Sequence, residues 1–239
     1  MRTLLGCILA AALSLPALAD EAKIRKVVED KLGGGVKVEG VQRGPLGLWE
    51  VRFRSAEGVQ IVYTDATASH IIIGKIYETK ADRSLTEERL RKLNTIKFDS
   101  LPFAQAVKVQ RGNGKRVLVM FSDPHCPYCT KFEQTLQQVD NITVYVFMFP
   151  VIKPDLADHS KAVWCSPDRA KAWLDLALRG KPPAATASCE NPVEKNLELG
   201  HKLGVNSTPT LYLANGERIA GALSPEDLRQ MLDQVASSK

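Results

Sequence analysis

The chain has 239 residues, 44% hydrophobic and 25% charged, with a formal net charge of +5. That length buries a sizeable core and leaves room for two domains. Its basic residues are interleaved with acids, and no basic stripe threaded with aromatics marks a nucleic-acid surface, so nucleic acid is excluded as a partner.

The N-terminus reads Met1-Arg-Thr, then an apolar run from Leu4 to Leu15, then Pro16-Ala-Leu-Ala19. One positive charge, a short apolar core and an Ala17-x-Ala19 end predict a secretory signal peptide over residues 1–19, cleaved before Asp20. The run is too short to span a bilayer and no later run is long enough, so the mature chain is expected to be soluble, without membrane insertion. Cys7, in Leu4-Leu5-Gly6-Cys7, is read as part of the discarded segment, because too little signal core precedes it to make a lipid-attachment site. Removal of the signal leaves four of the five cysteines in an oxidising compartment, where disulfides are permitted.

Residues 20–80 read as a small first domain. Ile24, Val27, Val28 and Leu32 recur at helical spacing and Gly33-Gly-Gly35 ends that helix. Trp49, Val51 and Phe53 alternate with Glu50, Arg52 and Arg54, which predicts a strand with one buried face. Ile61 to Tyr63 and His70 to Tyr77 read as two more strands around an Asp65 to Ser69 turn. One helix on a small antiparallel sheet buries little surface and leaves strand edges uncovered. Pairing with a second copy removes both problems, so a homodimer through residues 20–80 is expected. Ser84-Leu-Thr-Glu87 matches a capping box, and Leu85, Leu90, Leu93 and Ile96 follow at near-helical spacing. Residues 81–97 are therefore read as a linker containing a helix, the alternative being a plain helix of the first domain.

The second domain is placed at residues 98–239. Val107 and Val109, then Arg111-Gly-Asn-Gly114, then Val117 to Phe121, read as a hairpin. A helix with Phe132, Leu136 and Val139 on one face follows, then an apolar strand from Ile142 to Val151. A mostly helical stretch from Asp155 to Leu203 contains Cys165 and Cys189. Thr208-Pro209 precedes a strand at Thr210 to Leu213, an Asn215-Gly216 turn, and a strand at Arg218 to Gly221. A final helix starts at Ser224-Pro225-Glu-Asp, with an N-cap, a proline in the first turn and acids at the positive end.

Between the apolar run at Val117 to Phe121 and the helix carrying Phe132 lies Cys126-Pro-Tyr-Cys129. The first cysteine thus sits where a strand ends and a helix begins, facing unpaired N–H groups and the positive end of the helix dipole. That field favours the thiolate, the species that attacks disulfides, and two intervening residues let the second sulfur close a small ring with the first. The arrangement is that of a thiol–disulfide redox centre. A CxxC pair is also half of a zinc site, but zinc calls for a second closely spaced pair, and Cys165 and Cys189 are 24 positions apart. Those two read as a structural bridge, stabilising by about 3 kcal/mol in the chain-entropy view, with two free buried thiols as the alternative.

These elements in this order resemble the thioredoxin fold with a helical insertion, and the whole mature chain resembles the DsbC/DsbG family of periplasmic disulfide isomerases, DsbC being the nearer branch. The resemblance rests on F-S-D-P-x-C-P-Y-C, the A-V-W-C block ending at Cys165, the A-S-C block ending at Cys189 and L-G-V-N-S-T-P-T at 203–210. The fold class it implies is α+β: a small N-terminal helix-plus-antiparallel-sheet dimerisation domain, a linker helix, and a C-terminal thioredoxin-like α/β domain. Residue by residue, Cys126 matches the exposed attacking cysteine and Cys129 the buried resolving one. Pro209 matches a cis-proline facing the redox pair; Thr208 before it and Tyr128 inside the pair are implied client contacts. Cys165 and Cys189 match a second, non-catalytic disulfide.

The family implies no cofactor and no metal. Its partners would be misfolded disulfide-containing exported proteins, and a membrane reductase, DsbD, that keeps the pair reduced; its compartment is the Gram-negative periplasm. Pro127-Tyr128 departs from the Gly-Tyr of the best-known DsbC and is more like DsbG, which keeps open a reductase of sulfenylated single cysteines. A DsbA-like oxidase and a holdase chaperone stay open beside it. His125 is expected to stabilise the Cys126 thiolate if protonated near neutral pH, or else to be a solvent-facing loop residue.

Overall fold

A computed structural model of the chain describes residues 15–55, 58–220 and 223–237. Most of the expected signal peptide, residues 1–14 with Cys7, and the expected strand end Gly221 lie outside the described residues. The chain divides into two compact units. Of the described residues, those up to Arg54 together with Gln60–Thr86 form one, and those from 55 to 59 with those from Glu87 onward form the other.

In the first unit, helix α1 (Leu15–Leu32) packs Ile24 and Val28, one turn apart and both fully buried, against strands β1 (Lys37–Arg43), β2 (Trp49–Ser55), β3 (Gly58–Thr64) and β4 (Ile71–Ile72). The sheet order is β1-β2-β3-β4, and β1 pairs antiparallel to β2. β1 is an element that the periodicity does not announce. The expected alternation of β2 holds only in part, because Glu50 is 4% exposed. Its carboxylate is reached by the Gln42 side chain at 3.0 Å, a cross-strand partner that satisfies a buried polar group. The single strand expected at His70 to Tyr77 is broken into β4 and β5 (Tyr77–Glu78), and β5 pairs with β6 (Arg83–Ser84) instead of joining the larger sheet. Helix α2 (Leu85–Leu93) lies where the two units divide.

The second unit carries a five-stranded sheet in the order β11-β10-β8-β9-β7. Its strands are β7 (Val107–Arg111), β8 (Arg116–Ser122), β9 (Ile142–Met148), β10 (Thr210–Leu213) and β11 (Arg218–Ala220), and helix α3 (Pro127–Leu136) connects β8 to β9. The hairpin expected between β7 and β8 does not form. β9 lies between them, parallel to β8 and antiparallel to β7. A strand–helix–strand crossover seats β9 on β8, so β7 pairs with the far edge of β9. Central β8 is apolar from Val117 to Phe121 because both its faces are covered. Leu118 and Met120 enter one core cluster with Phe132, Leu136 and Trp173; Val119 and Phe121 enter the other with Phe147, Phe149 and Tyr212.

Between β9 and β10 run helices α4 (Ala157–Cys165), α5 (Arg169–Arg179) and α6 (Val193–Lys202). α5 is capped by Asp168, which accepts the Lys171 N–H at 2.9 Å, and stopped by Gly180 in the left-handed region. Trp173 on α5 donates its indole N–H to the Glu133 carboxylate of α3 at 2.6 Å, tying this insertion to the helix that carries the CxxC pair. The last helix, α7 (Pro225–Ser237), is capped by Ser224, whose hydroxyl accepts the Asp227 N–H at 3.1 Å.

Candidate active site

β8 ends at Ser122, and the chain turns through Asp123-Pro124-His125 into α3, with Cys126 at the N-cap and Pro127 in the first turn. Cys126 is extended (φ −85°, ψ 121°), and its N–H reaches back to the Asp123 carbonyl at 3.1 Å. Across the sheet edge β10 pairs antiparallel to β8, with Thr210 opposite Phe121, so the loop before β10 arrives at the end of β8. In that loop the Thr208–Pro209 peptide bond is cis. The Cys126 thiol donates to the Thr208 carbonyl at 3.4 Å. Residues 82 positions apart are thereby brought to one point.

Both CxxC cysteines are free thiols. Cys126 is 2% exposed and Cys129 is 0% exposed, so the two differ far less in accessibility than the expectation of an exposed first cysteine implies. The sulfur of Cys126 is turned toward the Thr208 carbonyl, and this accounts for its cover. Burial pushes the Cys129 thiol up to about 12. The Ser122 and Thr208 hydroxyls and the Asp123 backbone pull the other way, and negative charge on Cys126 adds to the rise. At neutral pH Cys129 therefore holds its proton and is a weak nucleophile. Tyr128, between the two, is 69% exposed.

His125 differs from its expected role. Burial, with smaller contributions from His159 and Lys153, lowers its proton affinity against the opposing pull of Asp123 and Asp155. The change runs away from a protonated imidazole at neutral pH. Its Nε2 meets His159 Nδ1 at 3.1 Å, so this is a paired side chain and not a free loop histidine.

Three further groups escape sequence reasoning. The Asp123 carboxylate is fully buried and accepts three backbone N–H bonds, from His125 (2.8 Å), Val151 (2.7 Å) and Ile152 (2.6 Å). His159 comes from α4. Glu133, buried on α3, is pushed up to about 7 by burial against the opposing Trp173 hydrogen bond and Arg111 charge. The D-P of the motif is the one signal that marks Asp123; nothing local marks the other two.

Cys165, at the end of α4, is joined to Cys189 with an S–S distance of 2.02 Å and a Cα–Cα separation of 5.7 Å. Neither is free to complete a zinc site with the CxxC pair, and among the described residues no three His, Cys, Asp or Glu side chains converge as metal ligands. Nor, among those residues, is any helix long and apolar enough to cross a membrane.

Residues 103–236 match the family described as thioredoxin-like domain, and residues 15–87 match the disulfide bond isomerase protein N-terminal domain. Fold and site thus define a thiol–disulfide oxidoreductase of the thioredoxin-like class. The chain is 40% identical over 198 residues to the probable thiol:disulfide interchange protein DsbC of Bordetella parapertussis, across 83% of this chain and 69% of that protein. It is 30% identical over 234 residues to the thiol:disulfide interchange protein DsbC of Escherichia coli, across 95% and 93%. A solved disulfide interchange protein from Neisseria gonorrhoeae is 38% identical and superposes with a TM-score of 0.55, across 57% of this chain and 99% of that one. The chain belongs to the DsbC family of thiol:disulfide interchange proteins. Its DsbG-like Pro127-Tyr128 dipeptide therefore sits in a chain of the DsbC kind.

Proposed function

We propose that this protein isomerises wrong disulfides in exported proteins of the Gram-negative periplasm, with Cys126 as the attacking sulfur. The observation that carries this reading is the pairing of a thiol at a helix N-terminus, set against the cis-proline loop, with a second thiol that stays protonated. The Cys126 thiolate attacks one sulfur of a client disulfide; a Cys126–client bond forms and the other client sulfur leaves as a thiolate. That thiolate attacks a second client disulfide, and the rearranged client then displaces Cys126, which returns to the thiolate. No net electrons are transferred.

When rearrangement stalls, Cys129 gives up its proton and attacks the Cys126 sulfur. The client leaves reduced and the enzyme is left with a Cys126–Cys129 disulfide. A two-electron donor resembling the membrane reductase DsbD then restores it. Burial of Cys129, which raises its proton affinity, disfavours this escape.

Thr208, Pro209 and Tyr128 are the client contacts in this reading, and Cys165–Cys189 is structural. Residues 20–80 serve as the dimerisation domain, residues 81–97 as the linker and 98–239 as the catalytic domain; the paired copies add a chaperone function. The Pro127-Tyr128 dipeptide favours one second reading, reduction of single sulfenylated cysteines. A scrambled multi-disulfide substrate should regain activity with the wild type and not with Cys126→Ser. Retained rescue by that variant refutes the isomerase reading.

A further inference from the structure

We propose that Ile152 is a specificity-determining contact of the redox site, receiving an apolar side chain that flanks the client's reacting cysteine. The inference rests on the reading of Cys126 as the place where the client's sulfur arrives.

A single exposed apolar side chain needs no explanation. The distribution here does. Among the described residues of the second unit, the large apolar side chains left exposed are Tyr128 (69%), inside the CxxC pair, and Ile152 (50%), in a loop hydrogen-bonded to the turn before it. Tyr128 follows Cys126 on α3. Ile152 lies in the loop after β9, and its N–H is held at 2.6 Å by the Asp123 carboxylate, which also holds the His125 N–H at 2.8 Å. The Asp123 carbonyl in turn accepts the Cys126 N–H at 3.1 Å. One buried side chain thus fixes the Ile152 loop to the segment that leads into Cys126. Three N–H bonds take up most of the acceptor capacity of that carboxylate, so the position of the loop is over-determined.

The occupant follows from the reaction. Disulfide interchange requires a polypeptide sulfur at Cys126, so the residues beside that sulfur must pass over the surface next to it. Tyr128 on the helix side and Ile152 on the loop side then offer apolar contact to both flanks. Cysteines buried in a native core have apolar neighbours, and these are the neighbours a misfolded client exposes.

The test uses the full chain and two sulfur-free extended peptides, each with serine in place of the reacting cysteine. One carries leucines on both sides of that serine, the other carries serines. Binding is followed by fluorescence anisotropy for the wild type, Ile152→Ser and Ile152→Leu. Ile152→Ser should weaken the leucine peptide about five-fold, the change expected for burying half an isoleucine side chain. Ile152→Leu should restore it, and the serine peptide should not respond. Equal binding of the leucine peptide by wild type and Ile152→Ser, or no preference of the wild type for that peptide, overturns the inference. Because neither peptide carries sulfur, the outcome is separable from the isomerase reading. A chain that binds through Ile152 yet fails to unscramble substrate loses that reading and keeps this one.

Discussion

Replacing Glu133 by glutamine isolates the cost of a carboxylate buried on the redox helix. Burial raises this group from 4.5 to about 7, against the opposing pull of the Trp173 indole and the Arg111 charge. In the unfolded chain it titrates near its ordinary value, so folding favours the protonated form. Such a group contributes its stability fully below pH 4.5 and loses it as pH rises through about 7. Each tenfold gain in proton affinity on folding is worth about 1.4 kcal/mol, so the wild type should lose about 3 kcal/mol from this residue between pH 4 and pH 8. Glutamine has no proton to lose and keeps an oxygen for the Trp173 N–H. Urea unfolding of both proteins at pH 4 and pH 8, with Cys165–Cys189 intact, gives the comparison. The stability difference between variant and wild type should move by about 3 kcal/mol in favour of the variant at pH 8. Parallel pH dependence of the two proteins would show that Glu133 titrates as an ordinary carboxylate and would refute the reasoning.

Two other predictions concern the neighbouring pairs. His159→Ala removes a hydrogen-bond partner, a like charge and part of the cover of His125, so the His125 titration should move up toward the ordinary histidine value. Nitrogen-detected NMR of the imidazoles reads this directly; an unmoved midpoint in the variant contradicts it. Replacing both Cys165 and Cys189 by alanine releases a loop spanning 24 positions, and the urea midpoint should fall by an amount equivalent to about 3 kcal/mol. Exchange activity per folded molecule should persist, since neither sulfur takes part in the proposed exchange.

Local signals in the sequence carry the elements well and their partners poorly. The apolar run of β8, the Phe132 and Leu136 face of α3 and the Ser224 cap of α7 are set by residues a few positions apart, and periodicity finds them. The Arg111-Gly-Asn-Gly114 turn signal is equally local, and there it misleads. Which strand pairs with β7 is decided by the crossover through α3, not by the turn. Glu50 reads as a solvent-facing acid and Glu133 goes unmarked, because their partners, Gln42 on another strand and Trp173 on another helix, are invisible at short range. The redox motif is legible as strand, CxxC and helix. The contact between the Cys126 sulfur and the Thr208 carbonyl is not, since it depends on β10 lying beside β8; only family resemblance points to it.

The pairing of β10 on β8 also bears on how this chain tolerates change. Thr210 stands opposite Phe121, and the sulfur and the proline loop lie just beyond that pair. A slip of one residue in β10 would carry the loop about 3.3 Å along the strand and turn every β10 side chain to the opposite face. Core packing and redox geometry therefore stand or fall on one register, and drift in β10 is restricted to substitutions that keep its length. The helices between β9 and β10 enter and leave through fixed strand ends. Two of their side chains reach the redox helix and the turn before it, Trp173 at Glu133 and His159 at His125, so change in that insertion is limited at those contacts and not by a register.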